Sequence, residues 1–569
     1  MRRLVPTFGP LAWHAGVLAW LTWPLAARLG THLSDSHGAA RFDGIATAYV
    51  LARESHALIA NPLRFFEGNF YHPTPHSLLY GPSAFGALPL FAPVFWLTGN
   101  PALALNATFL GGVLLTAWTL HLVVHWWTGS HLGGAIAGLT FLTTRWVLWE
   151  FVPTAPFYAV LFYFPLIVFL AAQPTTTFRG ILPLATLVFL QCLSDPIYIG
   201  PAVLGPLGAI ALGRLLRPET RAAGRALVAG LATAIVAVIV AHAGQVWIRL
   251  QAPLTQQTAW GTAGTASVDV PWGLLGWQAP TAVAPAALVL IAIGTVLVAL
   301  RGSRAAPRAA WLHGWIWAGL GVFMSLSPIL HVGRHTLELP WAAWIPIYRL
   351  LRVPSRLGVA GLIGMSLLAG LALAECARRI TARPALRPAA LAFVALFGWG
   401  IYAEYAHGFG TPRYLRKELP SPYPVVEALR SDTPVIAELR KPGGPLLELP
   451  LGRLDVLPPF HARAMYRSIY HWRPLLNGYD SYWPAGFPER MHTAAQLPDR
   501  EALATLRRET GLETILVQTA DLDIDARLPW EAIAARGRDD LELIARDGGD
   551  LLFRVRPGAG SSAATPPGP

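Results

Sequence analysis

Long apolar runs return along most of this chain, and they confine it to one class of fold. They lie at about residues 4–29, 82–98, 101–125, 133–150, 155–172, 180–193, 199–214, 225–245, 281–300, 309–328, 356–375 and 388–405. A hydrocarbon core of about 30 Å needs roughly 17 to 25 helical residues to cross it, and most of these runs supply that length. In lipid each backbone amide and carbonyl must find its partner inside the protein, so the runs are read as helices. Only 13% of the 569 residues are charged, against about 25% in soluble domains. The sequence therefore predicts an α-helical polytopic membrane protein in the lipid bilayer.

Charge sets an orientation. The net +12 comes largely from arginines in short loops between apolar runs, the pattern that orients membrane proteins rather than one that binds nucleic acid. Arg2 and Arg3; Arg214, Arg217, Arg221 and Arg225; Arg301, Arg304 and Arg308; and Arg378, Arg379, Arg383 and Arg387 should all face the cytoplasm. If every run crossed, the first group would sit opposite the other three. One early run must not cross, and 82–98 fits: it carries Pro89 and Pro93 and ends in the turn sequence Gly99-Asn100-Pro101. About eleven transmembrane helices remain, with the N-terminus cytoplasmic and the C-terminus extracytoplasmic. Cys192 and Cys376 are the two cysteines and form neither a disulfide framework nor a CxxC motif.

Three regions follow: a transmembrane domain at 1–405, an extracytoplasmic α/β domain at 406–557, and a disordered tail at 558–569 rich in Gly, Ala, Ser and Pro. In the α/β domain Pro434–Leu439, Pro445–Leu449 and Glu513–Gln518 read as strands, Arg500–Thr510 as a helix, and Leu541–Val555 as a hairpin turning at Asp547-Gly548-Gly549.

Chemistry concentrates in the first outer loop, 31–100, where Thr31–Tyr80 holds Asp35, Asp43, Glu54, Glu67, His37, His56, His72 and His76. Asp43 precedes Ile45–Ala60, whose helical apolar spacing suits a helix lying on the membrane surface. Asp43 is either a functional carboxylate at that surface or a helix-capping acid, two compatible roles. Asp35, between two serines, reads as a turn residue. Two prolines hold His72 and His76 on an extended segment, open to metal ligation, phosphate or sugar contact, or packing.

Glu150 and Asp195 are acids at the outer ends of apolar helices, where a partner or a polar cavity is required. Glu150 is either a functional acid or an ion-pair partner of Arg145, and Asp195 also suits a plain turn before Pro196. The loop 329–355 places Arg334, Arg349 and Arg352 outside, with Arg356 opening the next helix, against the usual bias. Together with Trp341, Trp344 and Tyr348 they suit a lipid phosphate held at the surface, or headgroup contact without chemistry.

Several motifs join these residues: Asp43 in the first outer loop, Asn69-Phe70-Tyr71-His72-Pro73, Leu97-Thr98-Gly99-Asn100-Pro101, Arg352-Val353-Pro354-Ser355-Arg356, Met465–Trp472 and Asn477-Gly478-Tyr479. In this order they resemble a group of bacterial integral membrane proteins whose architecture is similar to the C-type glycosyltransferases, which use polyprenyl-phosphate-linked sugars. The resemblance spans roughly residues 4–555. It implies a catalytic carboxylate at Asp43, with Glu150 as the nearest second acid, and an extracytoplasmic C-terminal domain. The donor would be a polyprenyl-phosphate-linked sugar and the acceptor a glycan, lipid or protein. Neither position carries an Asp-x-Asp pair, so a divalent metal is possible but not required.

Two other functions fit the same residues. A lipid or sugar translocator would use acids and arginines at helix ends, but no inverted repeat is visible. A non-catalytic scaffold would bind glycan through Tyr466–Trp472, Tyr479, Tyr482 and Trp483.

Overall fold

The computed structural model describes residues 8–149, 151–251, 255–256, 268–270, 281–326, 329–332, 335–338, 353–382, 384–406, 422–452 and 459–556. The chain separates into two compact units. The first comprises Met1–Ala40, Ala84–Ala243 and Trp260–Glu427; the second comprises Arg41–Ser83, Gly244–Ala259 and Ala428–Pro569. The first outer loop is thus divided at Arg41, and most of its acids and histidines belong with the C-terminal residues.

The first unit is helical. Four spans among the described residues are long and apolar enough to cross a bilayer: Pro101–Thr128, Pro218–Ala241, Pro354–Thr381 and Arg387–Ala406. Shorter apolar helices include His131–Leu142, Phe178–Cys192, Ile199–Leu215 and Pro285–Arg301. Pro354–Thr381 forms the centre, since 94% of its most apolar stretch is buried, whereas Arg387–Ala406 has only 17% buried and exposes Leu391, Leu396 and Trp399. An apolar face of that kind suits lipid. The run expected not to cross forms the helix Leu88–Thr98, with Pro93 inside it and Gly99 closing it at φ +63. Its 11 residues rise about 16 Å, roughly half the hydrocarbon thickness.

Local chemistry explains the helix ends. Asn100 accepts from the Leu103 amide and Pro101 takes the first helical position, so Pro101–Thr128 starts where it does. Gly129 ends it in the left-handed region, and Ser130 caps His131–Leu142 by accepting from the Gly133 amide. The two helices therefore form a tight hairpin. Where helices touch most closely, glycine makes it possible. A Cβ at Gly133 would stand 2.7 Å from the Gly370 carbonyl oxygen, and one at Gly370 2.6 Å from that of Gly133; small residues allow such approach between membrane helices.

The second unit holds a four-stranded sheet in the order Leu541–Asp547, Asp550–Val555, Thr514–Gln518, Leu446–Leu449. The last two strands are parallel and the other neighbours antiparallel. Thr514–Gln518 is buried along its whole length, as a central strand should be. Trp530, from the helix Ile524–Arg536, packs on Phe553 at 5.5 Å between centroids. The helix Arg500–Thr510, the strands at 446–449 and 514–518, and the hairpin turning at Gly548 agree with the sequence reading.

Two readings change. Pro434–Leu439 is a helix rather than a strand, because Thr433 caps it by accepting from the Ile436 amide and Pro434 occupies its first position. The segment read as a surface helix, Ile45–Ala60, forms the helix Asp43–Ala60, and residues on several of its faces are buried, including Ile45, Tyr49, Leu51 and Glu54. It packs against the helix Pro459–Ser468 of the same unit. The tail 558–569 and the loop positions Arg334, Arg349, Arg352, Trp341, Trp344 and Tyr348 lie outside the described residues.

The glycine crossing generates a direct expectation. Gly370→Leu should lower the thermal midpoint of the detergent-purified protein by several degrees, since forcing a side chain into a packed contact costs about 1–3 kcal/mol. Gly319→Leu, where nothing stands within 4 Å of the added Cβ, should leave the midpoint unchanged.

Candidate functional site

Asp43 lies in the first turn of its helix, where the positive end of the helix dipole favours a carboxylate. The cap position belongs to Phe42, whose side chain makes no capping bond. Asp43 is exposed, and its Oδ1 accepts a hydrogen bond from the Tyr479 hydroxyl. By sequence Tyr479 suits sugar stacking; in the structure its hydroxyl holds the carboxylate.

The residues that hold Tyr479 account for the Asn477-Gly478-Tyr479 motif. Asn477 Oδ1 accepts from the Glu448 amide at 2.8 Å, and its Nδ2 donates to the Glu448 carbonyl at 2.9 Å, extending the sheet by one side-chain rung. Gly478 lies beneath the Tyr71 ring, which any Cβ there would strike. The Gly478 amide donates to Nδ1 of His461 at 3.1 Å. His461 is fully buried, and burial pushes its pKa down to about 4. A neutral ring that accepts at Nδ1 carries its proton on Nε2, and this tautomer follows from the hydrogen bond.

The first outer loop docks by backbone pairing onto the segment Leu475–Asn477, which itself bridges to the sheet at Leu446. The Tyr71 amide donates to the Asn477 carbonyl, the His72 amide to the Leu475 carbonyl, and the Leu475 amide to the Asn69 carbonyl. Side chains reinforce this: Asn69 Nδ2 donates to the Arg473 carbonyl at 2.8 Å, and the Tyr49 hydroxyl donates to Asn69 Oδ1 at 2.5 Å. On the helix Asp43–Ala60, His56 stacks on Trp472 at 4.9 Å while Arg53 stands 5.7 Å from the same ring. Trp472 has φ +54, an uncommon backbone state for a bulky residue.

The other sequence-derived candidates sit as follows. His72 Nε2 donates to the Thr510 carbonyl at 3.0 Å, and burial lowers its pKa. His76 pairs through Nδ1 with Glu67 at 2.9 Å, and its amide donates to the other Glu67 oxygen. Both histidines are thus engaged by the protein within the second unit. Glu150, Arg349 and Arg352 lie outside the described residues.

Arg356 belongs to the first unit, at the start of its central helix. Its guanidinium carbon stands 4.7 Å from the Phe151 ring, 5.0 Å from Tyr198 and 5.5 Å from Tyr158, and its Nη1 donates to the Tyr158 hydroxyl at 3.2 Å. The Tyr158 hydroxyl donates to Asp195 Oδ2 at 2.6 Å. Asp195 Oδ1 accepts from the amides of Ile197 and Tyr198, so this acid is the expected turn residue and also a partner for the arginine through Tyr158. Burial raises the Asp195 pKa, opposed by these hydrogen bonds and the nearby cation. Tyr158 and Tyr198 were not singled out from the sequence; the only signal was the rule that an acid at an apolar helix end needs a partner.

Among the described residues no group of three or more His, Cys, Asp or Glu side chains is arranged to hold a metal ion.

No protein-family model matches the chain, and no curated protein matches it in sequence. Among solved structures, ArnT from Cupriavidus metallidurans in the apo state aligns with 97% of this chain and 98% of its own, with a TM-score of 0.51 and 13% identity. The chain has an ArnT-like fold. The helical membrane fold with a small C-terminal sheet expected from the sequence agrees with this likeness. Looser likenesses are the apo oligosaccharyltransferase of Archaeoglobus fulgidus, with 12% identity over 90% of this chain and 69% of that one at a TM-score of 0.46, and the arabinosyltransferase EmbB from Mycobacterium smegmatis, with 14% over 96% and 46% at 0.34. Within the ArnT-like fold, Asp43 and Tyr479 form one polar centre and Arg356, Tyr158 and Asp195 another.

The buried histidine beside Tyr479 makes the carboxylate's support sensitive to acid. His461 has a folded pKa of about 4 against 6.5 for a free imidazole, so the neutral ring's contribution is full above about pH 6.5 and is lost as pH falls toward 4. The loss should reach about 3 kcal/mol, from 1.36 kcal/mol per unit. Thermal midpoints measured from about pH 8 to about pH 5 should fall for the native protein, and His461→Gln should flatten part of that fall.

Proposed function

We propose that this protein is a membrane glycosyltransferase that moves a sugar from a polyprenyl-phosphate carrier to an acceptor hydroxyl on the extracytoplasmic face. The observation that carries this reading is the exposed Asp43 carboxylate, held by Tyr479 at the start of a helix in a chain with an ArnT-like fold. A carboxylate fixed by one oxygen is oriented to receive a proton.

In this reading the acceptor oxygen attacks the anomeric carbon as Asp43 takes its proton. The bond from that carbon to the lipid phosphate oxygen breaks, its electron pair leaves with the phosphate, and the configuration inverts. In the first unit Arg356, with Arg349 and Arg352 from the preceding loop, offers the positive charge that a lipid phosphate calls for. The aromatic rings and Tyr158 around Arg356 keep its planar fork in one orientation, which suits a phosphate better than a flexible ammonium would. Glu150 is the second acid of the site. The contacts of His72 and His76 suit shaping the loop beneath the substrate, with His72 neutral at physiological pH. The 406–557 region is the extracytoplasmic domain, the N-terminus is cytoplasmic, and the membrane is the bacterial inner membrane.

Purified protein incubated with polyprenyl-phosphate sugars should release free lipid phosphate. Asp43→Asn should reduce that release by roughly 10²- to 10⁴-fold, the usual contribution of a general base, with normal protein abundance. Tyr479→Phe should cost on the order of tenfold, as for a hydrogen bond to a charged group. Full activity in Asp43→Asn would remove Asp43 as the base.

A further inference from the structure

The membrane unit contains a chain of histidines that the proposed transfer does not use. His14 lies on the helix Phe8–Leu21, His121 and His125 on Pro101–Thr128, and His131 at the start of His131–Leu142. His121 Nε2 stands 3.1 Å from His131 Nδ1, and His121 Nδ1 stands 3.3 Å from His14 Nε2. The middle ring therefore uses both its nitrogens, and the three rings run head to tail. Exposure falls along the chain: His131 is exposed, His121 is 2% exposed and His14 not at all. His125 stacks on His131 at 4.0 Å.

Space has been cleared for these rings. A Cβ at Gly134 would stand 2.6 Å from the His121 ring, and one at Gly138 2.8 Å from both nitrogens of His14. His131, Gly134 and Gly138 share one helix face, so a single stripe supplies the entry imidazole and the room for the other two. The inner end is incomplete: His14 Nδ1 is buried without a hydrogen-bond partner among the described residues, which is costly for a polar atom that only packs.

Charged groups on the packed neighbours are occupied elsewhere. On Val359–Thr381, Glu375 accepts from Arg379 and from the amides of Arg304 and Ala305, while Arg378 donates to the carbonyls of Thr128 and Arg304. On Arg387–Ala406, Glu404 accepts from the Ala286 amide, and Arg387 begins that helix. Among the described residues no carboxylate is hydrogen-bonded to a ring of the chain, so no fixed negative charge marks it as an ion pair.

We propose that His131, His121 and His14 form a proton relay through which the interior of the membrane unit takes up a proton from the solution at the Gly129-Ser130 turn. A proton from water or buffer adds to Nε2 of His131. His131 passes its Nδ1 proton to His121 Nε2, and His121 passes its Nδ1 proton to His14 Nε2. His131 and His121 end neutral with exchanged tautomers, and His14 holds the added proton. Imidazole alone among side chains can accept on one nitrogen and release from the other near neutral pH.

The test uses the full chain, labelled with ¹⁵N-histidine, in lipid nanodiscs. Couplings across the hydrogen bonds should join His131 to His121 and His121 to His14, and lowering the pH from about 8 to about 4, as burial of the His14 ring requires, should bring His14 toward the imidazolium shift with fast exchange. His131→Gln, at the exposed end, and His121→Phe should each abolish that fast exchange while the thermal midpoint of His131→Gln stays native. A His14 signal that stays neutral over the folded range, or that exchanges as fast in His121→Phe as in the native protein, would overturn the relay. So would tight Zn²⁺ binding by His121 and His131 that replaces the couplings, since the pair would then be a chelate.

Discussion

Everything around Asp43 depends on a short backbone pairing. Residues Asn69–His72 lie along Leu475–Asn477 and exchange three main-chain hydrogen bonds with them. Leu446, in the parallel edge strand, in turn donates to the Pro474 carbonyl and accepts from the Leu476 amide. A piece of the first outer loop is thereby built onto the C-terminal sheet. Backbone pairing of this kind leaves few buried amides unsatisfied and allows a loop to be as rigid as a domain core. Tyr71, Asn477 and Gly478 interlock at the junction, and Tyr479 reaches Asp43 because of it.

The membrane unit follows a different rule. Its helices meet through glycine and alanine, and its polar side chains mostly return to their own backbone, as Thr108, Thr116 and Thr128 do. Polar groups also reach between elements at several places among the described residues, Glu375 with the Arg304 amide among them. The arginine at the start of the central helix, with Tyr158 and Asp195, is one such place, and the histidine chain is another. In a low-dielectric interior, such contacts persist only where each partner is shaped by its neighbours. Aromatic rings do this for Arg356 and missing side chains do it for His14 and His121.

Much of this architecture was legible in the order of residues. Apolar run length identified a helical membrane protein, Gly99-Asn100-Pro101 marked one turn between helices, and short apolar runs marked the strands at 446–449 and 514–518. The turn at Asp547-Gly548-Gly549 was equally readable, because Gly548 at φ +55 relieves a strain that other residues would carry. Pro434–Leu439 misled because a short apolar run suits strand or helix alike, and the Thr433 cap decided it. The helix Asp43–Ala60 was expected on the membrane surface because its apolar periodicity does not say what covers the face.

The sequence by itself determined the class of fold, which rests on run length, period and local residue type, and its motifs carried the resemblance that singles out Asp43. The tertiary structure alone decided which residues meet. Tyr479 lies 436 positions from Asp43, Arg356 lies 198 from Tyr158, and His14 lies 107 from His121. Each contact is produced by helix packing or strand pairing far along the chain, and no local pattern records a partner at that distance.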